Sequence, residues 1–318
     1  MSGSGRGCPG GAFVDRAQPK KAQVRVEWPT LGLLSLCYAL FALGTVWGAA
    51  LWLPLGMGLT VVAMALHSSL SHEVLHGHPF ENKVLNAVLV FPALGLFVPY
   101  LRFRDTHLAH HLDSRLTDPY DDPESNYLYQ EDWAALPKWR QRVLNWNNTL
   151  AGRLLVGPLV GQICFMAADW RAVRAGDMAV LRGWLWHGPA VAVVLWWLAA
   201  VGQMQGWAFG CCAYGAMAIL KIRTFLEHQA HERARGRTVI IEDRGPLSWV
   251  FLNNNLHVVH HMHPKVAWYQ LPKLFRSHRA RYLSRNDGYY FASYSEVFRR
   301  YFWQSKDPVA HPLWRKGG

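Results

Sequence analysis

The residues best suited to chemistry in this sequence are its histidines, which number 16 and fall largely into short, regularly spaced groups. One group has the form HxxxH, whose two imidazoles share a face when the segment is helical. Two other groups have the form HxxHH, in which a single helical turn presents three imidazoles. The three groups are His72-Glu-Val-Leu-His76, His107-Leu-Ala-His110-His111 and His257-Val-Val-His260-His261.

Metal binding is the chemistry that this density of imidazoles indicates. One or two further imidazoles stand at Glu227-His228 and at His231, so the motifs offer nine or ten potential ligands. That number exceeds what one ion binds and predicts a dinuclear centre, while imidazole alone does not choose among iron, copper, zinc and nickel. Lone histidines are ordinarily surface or capping residues, and this interpretation is applied to His67, His78, His187, His263, His278 and His311.

Two long uncharged stretches must position these motifs. No Lys, Arg, Asp or Glu occurs between Glu27 and Glu73, or between Arg182 and Lys221. Each stretch is about twice the ~20 residues that an α-helix needs to cross a bilayer core, and each contains a Gly- or Pro-marked reversal near its middle. Each is therefore predicted to form a helical hairpin. The four predicted membrane helices cover residues 30–48, 52–72, 184–202 and 206–227.

Two further apolar stretches are interrupted by proline. Residues 84–101 contain Pro92 and Pro99, and residues 150–168 contain Gly157-Pro158. The first is expected to be interfacial or re-entrant, and the second to lie on the membrane surface. The predicted fold class is thus an all-α membrane protein, with four transmembrane helices as two hairpins, interfacial helices and a cytosolic histidine-rich cap.

The net charge of +12 comes from basic residues that lie mainly in segments predicted to be on one side of the membrane. Basic residues precede, separate and follow the two uncharged stretches, whereas the predicted reversals carry no charge. This positive-inside pattern predicts a multi-pass protein with both termini and the histidine motifs in the cytosol. No basic–aromatic repeat or RNA-binding signature is present, which argues against a nucleic-acid partner.

The ends of the chain and its cysteines add two expectations. Residues 1–25 are Gly-rich and lack an apolar core, so they are predicted to form a disordered tail before one domain, residues 26–318. The five cysteines form no CxxC pair and predict neither a disulfide framework nor a zinc cluster.

The form and spacing of the histidine motifs resemble the integral-membrane fatty-acid desaturase and hydroxylase superfamily. The resemblance runs from about residue 30 to 285, and Trp268-Tyr-Gln-Leu-Pro272 after the third motif is similar to acyl-lipid desaturases. It implies two iron ions, O2 as co-substrate and an acyl chain of a membrane lipid as substrate. It also implies an external electron donor, either a ferredoxin or a cytochrome b5-like protein. The reaction that it implies is the introduction of a double bond into that chain.

Carried over position by position, the resemblance implies eight ligands from the three motifs and a ninth after the last membrane helix. His228 is preferred as the ninth ligand, and His231 is the alternative. Asn253 precedes His257 by four residues and is a weaker candidate, because the run Asn253–Asn255 more often caps a helix. The predicted catalytic and metal-binding residues are His72, His76, His107, His110, His111, His228, His257, His260 and His261.

Ligating imidazoles usually donate their other ring N–H to an acceptor, which directs attention to nearby carboxylates. The candidates are Glu73, Asp105, Asp113, Glu227 and the acidic run Asp118-Pro-Tyr-Asp121-Asp122-Pro-Glu124. The same run is equally typical of a solvated loop or of a docking surface for a basic electron donor.

Three other activities compete with desaturation. Hydroxylation or ketolation of a lipid or carotenoid begins with the same hydrogen abstraction. The segment His72-Glu73-Val-Leu-His76 is also the HExxH motif of zinc proteases, although that interpretation gives no role to two HxxHH motifs. A transporter would place its polar residues at the membrane midplane, whereas these histidines gather at one end of the predicted helices.

Overall fold

A computed structural model describes residues 26–111, 116–119, 122 and 124–315. The predicted tail, residues 1–25, and two of the candidate acceptors, Asp113 and Asp121, lie outside the described residues. The described chain is mostly helical, as predicted. Its four described cysteines, Cys37, Cys164, Cys211 and Cys212, are free thiols.

The first hairpin consists of α1 (Trp28–Leu43), a π-helical stretch (Gly44–Gly48), α2 (Ala49–Leu51) and α3 (Leu53–Leu75). The chain reverses where Trp52 is extended and Pro54 starts the next helix. The two arms then approach closely, because a Cβ on Gly56 would lie only 2.5 Å from the backbone nitrogen of Ala49. Glycine is therefore required where the arms touch.

The second hairpin consists of α10 (Met178–Ala200) and α11 (Gly206–Phe225). Helix α10 starts before the predicted residue 184, because the Asp177 side chain accepts hydrogen bonds from the backbone N–H groups of Ala179 and Val180. The hairpins are joined through Thr45, whose hydroxyl lies 3.1 Å from the Trp197 indole nitrogen. Helix α11 packs along α3, so both hairpins share one core.

Three helices in the described part of the chain are long and apolar enough to cross a membrane: Trp28–Leu51, Leu53–Leu75 and Met178–Ala200. The fourth predicted crossing corresponds to α11, which carries Lys221 and Arg223 near its end. That α11 crosses the membrane remains a prediction. Exposed tryptophans at the hairpin reversals are typical of a membrane–water interface; they are Trp47, Trp52, Trp196 and Trp207.

The segment between the hairpins folds into short helices. Residues 84–101 are broken as predicted, since α4 ends before the two prolines and α5 begins after them. Helix α9 extends the predicted surface segment and exposes a stripe of Leu159, Ile163, Met166 and Trp170 on one face, which is the pattern of a helix in contact with lipid. The helices are α4 (Lys83–Leu89), α5 (Tyr100–His110), α6 (Gln130–Ala135), α7 (Lys138–Asn147), α8 (Leu150–Leu155) and α9 (Gly157–Arg174).

The segment after α11 departs from the all-α prediction. Strands β1 (Ile240–Ile241) and β2 (Tyr290–Phe291) pair in parallel, with Ile240 opposite Tyr290 and Ile241 opposite Phe291. Two-residue strands have no alternation to detect in a sequence. The remaining elements are a 3-10 turn (Ala234–Arg237), α12 (Pro246–Val250), α13 (His257–Met262), α14 (Leu271–Ser277), α15 (Arg279–Arg285) and α16 (Tyr294–Tyr301).

A buried ion pair fixes α5 against α9 and α10. The Arg102 guanidinium donates two hydrogen bonds to the Asp169 carboxylate, at 2.9 and 2.8 Å, and the Trp184 indole N–H donates a third at 2.9 Å. Removing one member of such a pair leaves an uncompensated buried charge. Because α5 carries the second histidine motif, this pair fixes the position of the motif.

Asp169→Asn is therefore expected to lower the free energy of unfolding by about 3–5 kcal/mol. Thermal unfolding in detergent measures the loss. Asp105→Asn is the matched control, since Asp105 pairs with Arg104 on the same α5 helix but is 35% exposed. Equal destabilisation by the two variants would contradict the structural role assigned to Asp169.

Candidate metal centre

Four segments bring histidines to one end of the two hairpins. The first motif ends α3, the second occupies the last turn of α5, and the third begins α13. His228 follows the end of α11 and joins Thr238 in a β-bridge. The nine predicted site histidines come together here in two groups.

The five-histidine cluster contains His72, His76, His107, His111 and His260. Its potential ligand atoms all lie within 4.8 Å of one another. The His111 Nε2 atom is 2.9 Å from His107 Nε2 and 3.2 Å from His260 Nε2. Such convergence of imidazole nitrogens is what binding of one ion requires.

The four-histidine cluster contains His110, His228, His257 and His261. The Nε2 atom of His228 lies 2.8 Å from that of His110 and 3.2 Å from that of His257. The two clusters adjoin, because the rings of His111 and His261 stack with centroids 4.3 Å apart.

Each HxxHH motif is divided between the clusters in the same way. The first and last histidines of the motif, which share a helix face at a spacing of four residues, enter one cluster. The middle histidine, His110 or His260, enters the other cluster. Helix α5 thus contributes His110 to the cluster that contains His257 and His261, and α13 contributes His260 to the cluster that contains His107 and His111. These two contributions connect the clusters.

His231, the alternative ninth ligand, lies outside both clusters. Its Nδ1 atom accepts a hydrogen bond from the backbone N–H of Arg233 at 3.1 Å, within a turn that closes over Gly236. Of the two alternatives, His228 lies in a histidine cluster and His231 does not. The histidines treated as isolated also lie outside the clusters; they are His67, His78, His187, His263, His278 and His311.

Carboxylates orient the imidazoles of the second motif. Asp122 Oδ1 lies 2.7 Å from His110 Nδ1, and Glu124 Oε1 lies 3.1 Å from His107 Nδ1. An acceptor at Nδ1 fixes the ring and leaves Nε2 for the metal. Part of the acidic run thus lies against the clusters, whereas Asp105 pairs with Arg104 instead.

Asn254, in the run Asn253–Asn255, contacts a histidine of the site, which the sequence did not indicate. Asn254 Oδ1 lies 3.0 Å from His257 Nδ1, and the Asn254 amide reaches Glu227 Oε1 at 3.5 Å. The weaker ligand candidate, Asn253, donates to the carbonyl of Trp268 instead. The expected capping role is wrong, because Leu256 precedes α13 and no side chain caps it.

Burial keeps most of these imidazoles in the neutral form that binds metal. Burial, and then repulsion by neighbouring imidazoles, lowers the pKa of four of them well below the ordinary value: His111, His228, His257 and His260. For His110, burial also lowers the pKa, but the carboxylates of Glu124 and Asp122 outweigh it and raise the pKa to about 9. Carboxylates that hold an imidazole in this way make it a more basic ligand.

Two buried histidine nitrogens that lack a hydrogen-bond partner among the described residues support metal binding by these clusters. The Nε2 atoms of His72 and His76 are buried and have no hydrogen-bond partner in the described part of the chain. Leaving a polar atom buried and unpaired is costly, and a metal ion among these nitrogens removes that cost.

Lys306 and Asp307, after the last helix, fix the position of the segment that carries His228. The Lys306 ammonium donates to the backbone carbonyl of His228. Asp307 accepts a hydrogen bond from the Tyr127 hydroxyl, which in turn accepts from the backbone N–H of Ala230 at 2.9 Å. These contacts position the ninth histidine, and nothing in the spacing of the motifs indicates them.

Comparison with known proteins agrees with this geometry. Residues 44–294 match the family described as fatty acid desaturase. The chain belongs to the fatty acid desaturase family. This family indicates oxidoreductase activity of the desaturase kind on a lipid at a membrane, and it typically holds two irons. The comparison with curated proteins finds no match.

Membership of the fatty acid desaturase family accounts for all three motifs, which a zinc-protease interpretation does not. In an HExxH protease the glutamate faces a metal-bound water as general base. Here Glu73 is buried and its carboxylate accepts the backbone N–H of Trp268 at 3.1 Å. The Trp-Tyr-Gln-Leu-Pro stretch is thereby fastened to the first motif.

Asp122→Asn is expected to lower metal affinity and activity about 10–100-fold, because an amide holds the His110 imidazole less strongly. Metal content of the purified protein and turnover measure the two effects. Asp105→Asn, on α5 but paired with Arg104 and in neither cluster, is expected to match the wild type. An unaffected Asp122→Asn variant would remove the orienting role given to this carboxylate.

Proposed function

We propose that the protein is an O2-dependent diiron desaturase that introduces a double bond into an acyl chain of a membrane lipid. The observation that carries this proposal is the position of the histidine clusters beside a large cavity. His110 and His228, both of the four-histidine cluster, line that cavity. A substrate in the cavity thus reaches the metal centre directly.

The cavity suits an acyl chain in size and lining. Its volume is about 1320 Å³, which is ample for a flexible hydrocarbon chain. Much of its wall comes from the membrane helices and the broken segment after α4, including Met64, Phe91, Leu94, Ala213 and Met217. An apolar wall binds methylene groups by burying them and excludes water from the site.

In this reaction the residues of the protein bind the metal ions, orient the imidazole rings and exclude water from the substrate. When bound, a pair of irons activates O2 strongly enough to remove hydrogen from an unactivated methylene. The nine histidines hold the metal pair, Asp122 and Glu124 fix the ring orientation, and the apolar wall sets which methylene lies nearest. Overall, two hydrogens leave the acyl chain, an external ferredoxin or cytochrome b5-like donor supplies two electrons, solvent supplies two protons, and O2 becomes two waters.

The membrane arrangement is part of the proposal. Four helices cross the bilayer as two hairpins, and the histidine clusters face the cytosol. The three long apolar helices, the tryptophans at the reversals and the exposed stripe of α9 support this arrangement. The electron donor then docks on the cytosolic side.

Metal analysis and lipid profiling together test the proposal. The protein is purified from an expressing host for metal analysis, and the host's lipids are analysed by gas chromatography–mass spectrometry. About two irons per chain and a new double bond are expected. A single zinc ion would overturn the diiron assignment. A new hydroxyl group or an altered carotenoid would instead assign the alternative reactions of the same metal centre.

A further inference from the structure

The wall of the cavity is largely apolar by area, but it carries several cations where it meets the last turns of α11. Lys221, Arg223 and Thr224 reach it from the last turns of α11, close in sequence to His228. Arg153 of α8 lines the same region. Ionisable groups inside a membrane protein are costly and mark functional sites, so this region needs a ligand that explains it.

Lys221 has no contacting partner for its ammonium group among the described residues, although the carboxylates of Glu124 and Glu227 act on it from a distance. It lines the cavity beside α9, where a Cβ added at Gly161 would lie 2.9 Å from its Nζ atom. Within the described residues it forms neither a hydrogen bond nor an ion pair. A lysine that merely covered apolar surface would direct its ammonium to the water interface instead.

Arg223 and Thr224 supply unused donors in the same place. Arg223 is 7% exposed, and its Nε atom is 3.1 Å from Glu227 Oε1. Its Nη1 atom is nevertheless buried without a hydrogen-bond partner in the described chain, as is the hydroxyl of Thr224. Buried donors left unpaired are unfavourable unless a ligand satisfies them.

The neighbouring acidic groups are already engaged. Glu124 contacts His107, Glu227 contacts Arg223, and Asp307 contacts Lys306. Arg153 is buried, and within the described residues its hydrogen bonds go to neutral groups, namely the side chains of Asn126 and Asn148 and the backbone carbonyl of Asn147. Lys221 and Arg153 therefore line the cavity without an ion-pair partner in the described part of the chain.

We propose that the substrate carries an anionic end group, a carboxylate or a phosphate ester, which Lys221, Arg223 and Thr224 bind inside the cavity. This inference rests on the proposed function and names its substrate class. The ammonium and guanidinium donate charge-assisted hydrogen bonds to the anion, and the hydrocarbon chain extends along the apolar wall. Neutral lipids can accept hydrogen bonds from these donors, but they carry no negative charge to balance the ammonium and guanidinium.

Binding of three probes that share a hexadecyl or hexadecanoyl chain tests the proposal. Hexadecanoate, hexadecyl phosphate and hexadecanol compete with a fluorescent fatty acid for the iron-loaded protein in zwitterionic nanodiscs. Wild type is expected to bind the two anions at least about 10-fold more tightly than the alcohol. Lys221→Met should remove most of that preference and leave alcohol binding unchanged, while Lys221→Arg retains it. Lys138→Met, an exposed lysine on α7, is the matched control.

Each outcome bears on the inference separately from the catalytic proposal. Tighter binding of the phosphate assigns a phospholipid-type end group, and tighter binding of the carboxylate assigns a free acid. Equal binding of alcohol and anions by a wild-type protein that contains two irons and forms product would overturn this inference alone. A protein that discriminates anions but binds no iron would overturn the catalytic proposal and leave the anion site standing.

Discussion

Replacing either His110 or His260 with alanine is expected to abolish desaturation and to remove one of the two metal ions. Each is the middle histidine of its motif and the one that its helix contributes to the opposite cluster. His110→Ala leaves three imidazoles in the four-histidine cluster, and His260→Ala leaves four in the other cluster. Because loss of an orienting partner alone costs about 10–100-fold, loss of a ligand is expected to exceed 100-fold.

Iron content by mass spectrometry and product formation by gas chromatography measure these effects. The expected iron content falls from about two to about one per chain in each variant. His278→Ala is the matched control, because His278 is exposed and belongs to neither cluster. Full activity in either cluster variant would overturn the assignment of these residues.

His228→Ala and His231→Ala are expected to behave in opposite ways. His228 lies between His110 and His257, with Nε2 distances of 2.8 and 3.2 Å, so its loss opens the four-histidine cluster. Activity should fall more than about 100-fold, as for the other ligands. His231 bonds to its own turn, and its replacement should cost little activity.

The same two measurements, iron content and product formation, decide between the residues. A His228→Ala variant with normal iron and a His231→Ala variant without it would reverse the assignment of the ninth ligand. Loss of iron in both variants would show that the turn around Gly236 must be intact for the site to form.

Residue type and spacing were sufficient to predict the candidate site, because helical periodicity alone places residues four apart on one face. His72 with His76, and His257 with His261, enter the same cluster for this reason. The long uncharged stretches likewise indicated the helices of both hairpins, since a soluble domain rarely needs an uncharged run of that length.

What the sequence could not predict depends on contacts between distant segments. The Lys306 ammonium reaches the carbonyl of His228, and the Asn254 amide reaches Glu227, only because segments 78 and 27 positions apart fold together. An HxxHH turn can divide its imidazoles between two metals, but which histidine enters which cluster depends on contacts between the motifs, such as the 3.2 Å approach of His260 Nε2 to His111 Nε2. The two-residue strands β1 and β2 have no periodicity to read, and their pairing joins residues 50 positions apart.

The contact between Lys306 and the carbonyl of His228 has a consequence for biosynthesis. A ribosome releases the first two histidine motifs long before it makes the segment that secures the ninth imidazole. The nascent chain therefore contains all nine histidines before it contains the residue that secures His228. We expect a truncation before Lys306 to leave every histidine in place but to lower the metal content of the purified protein.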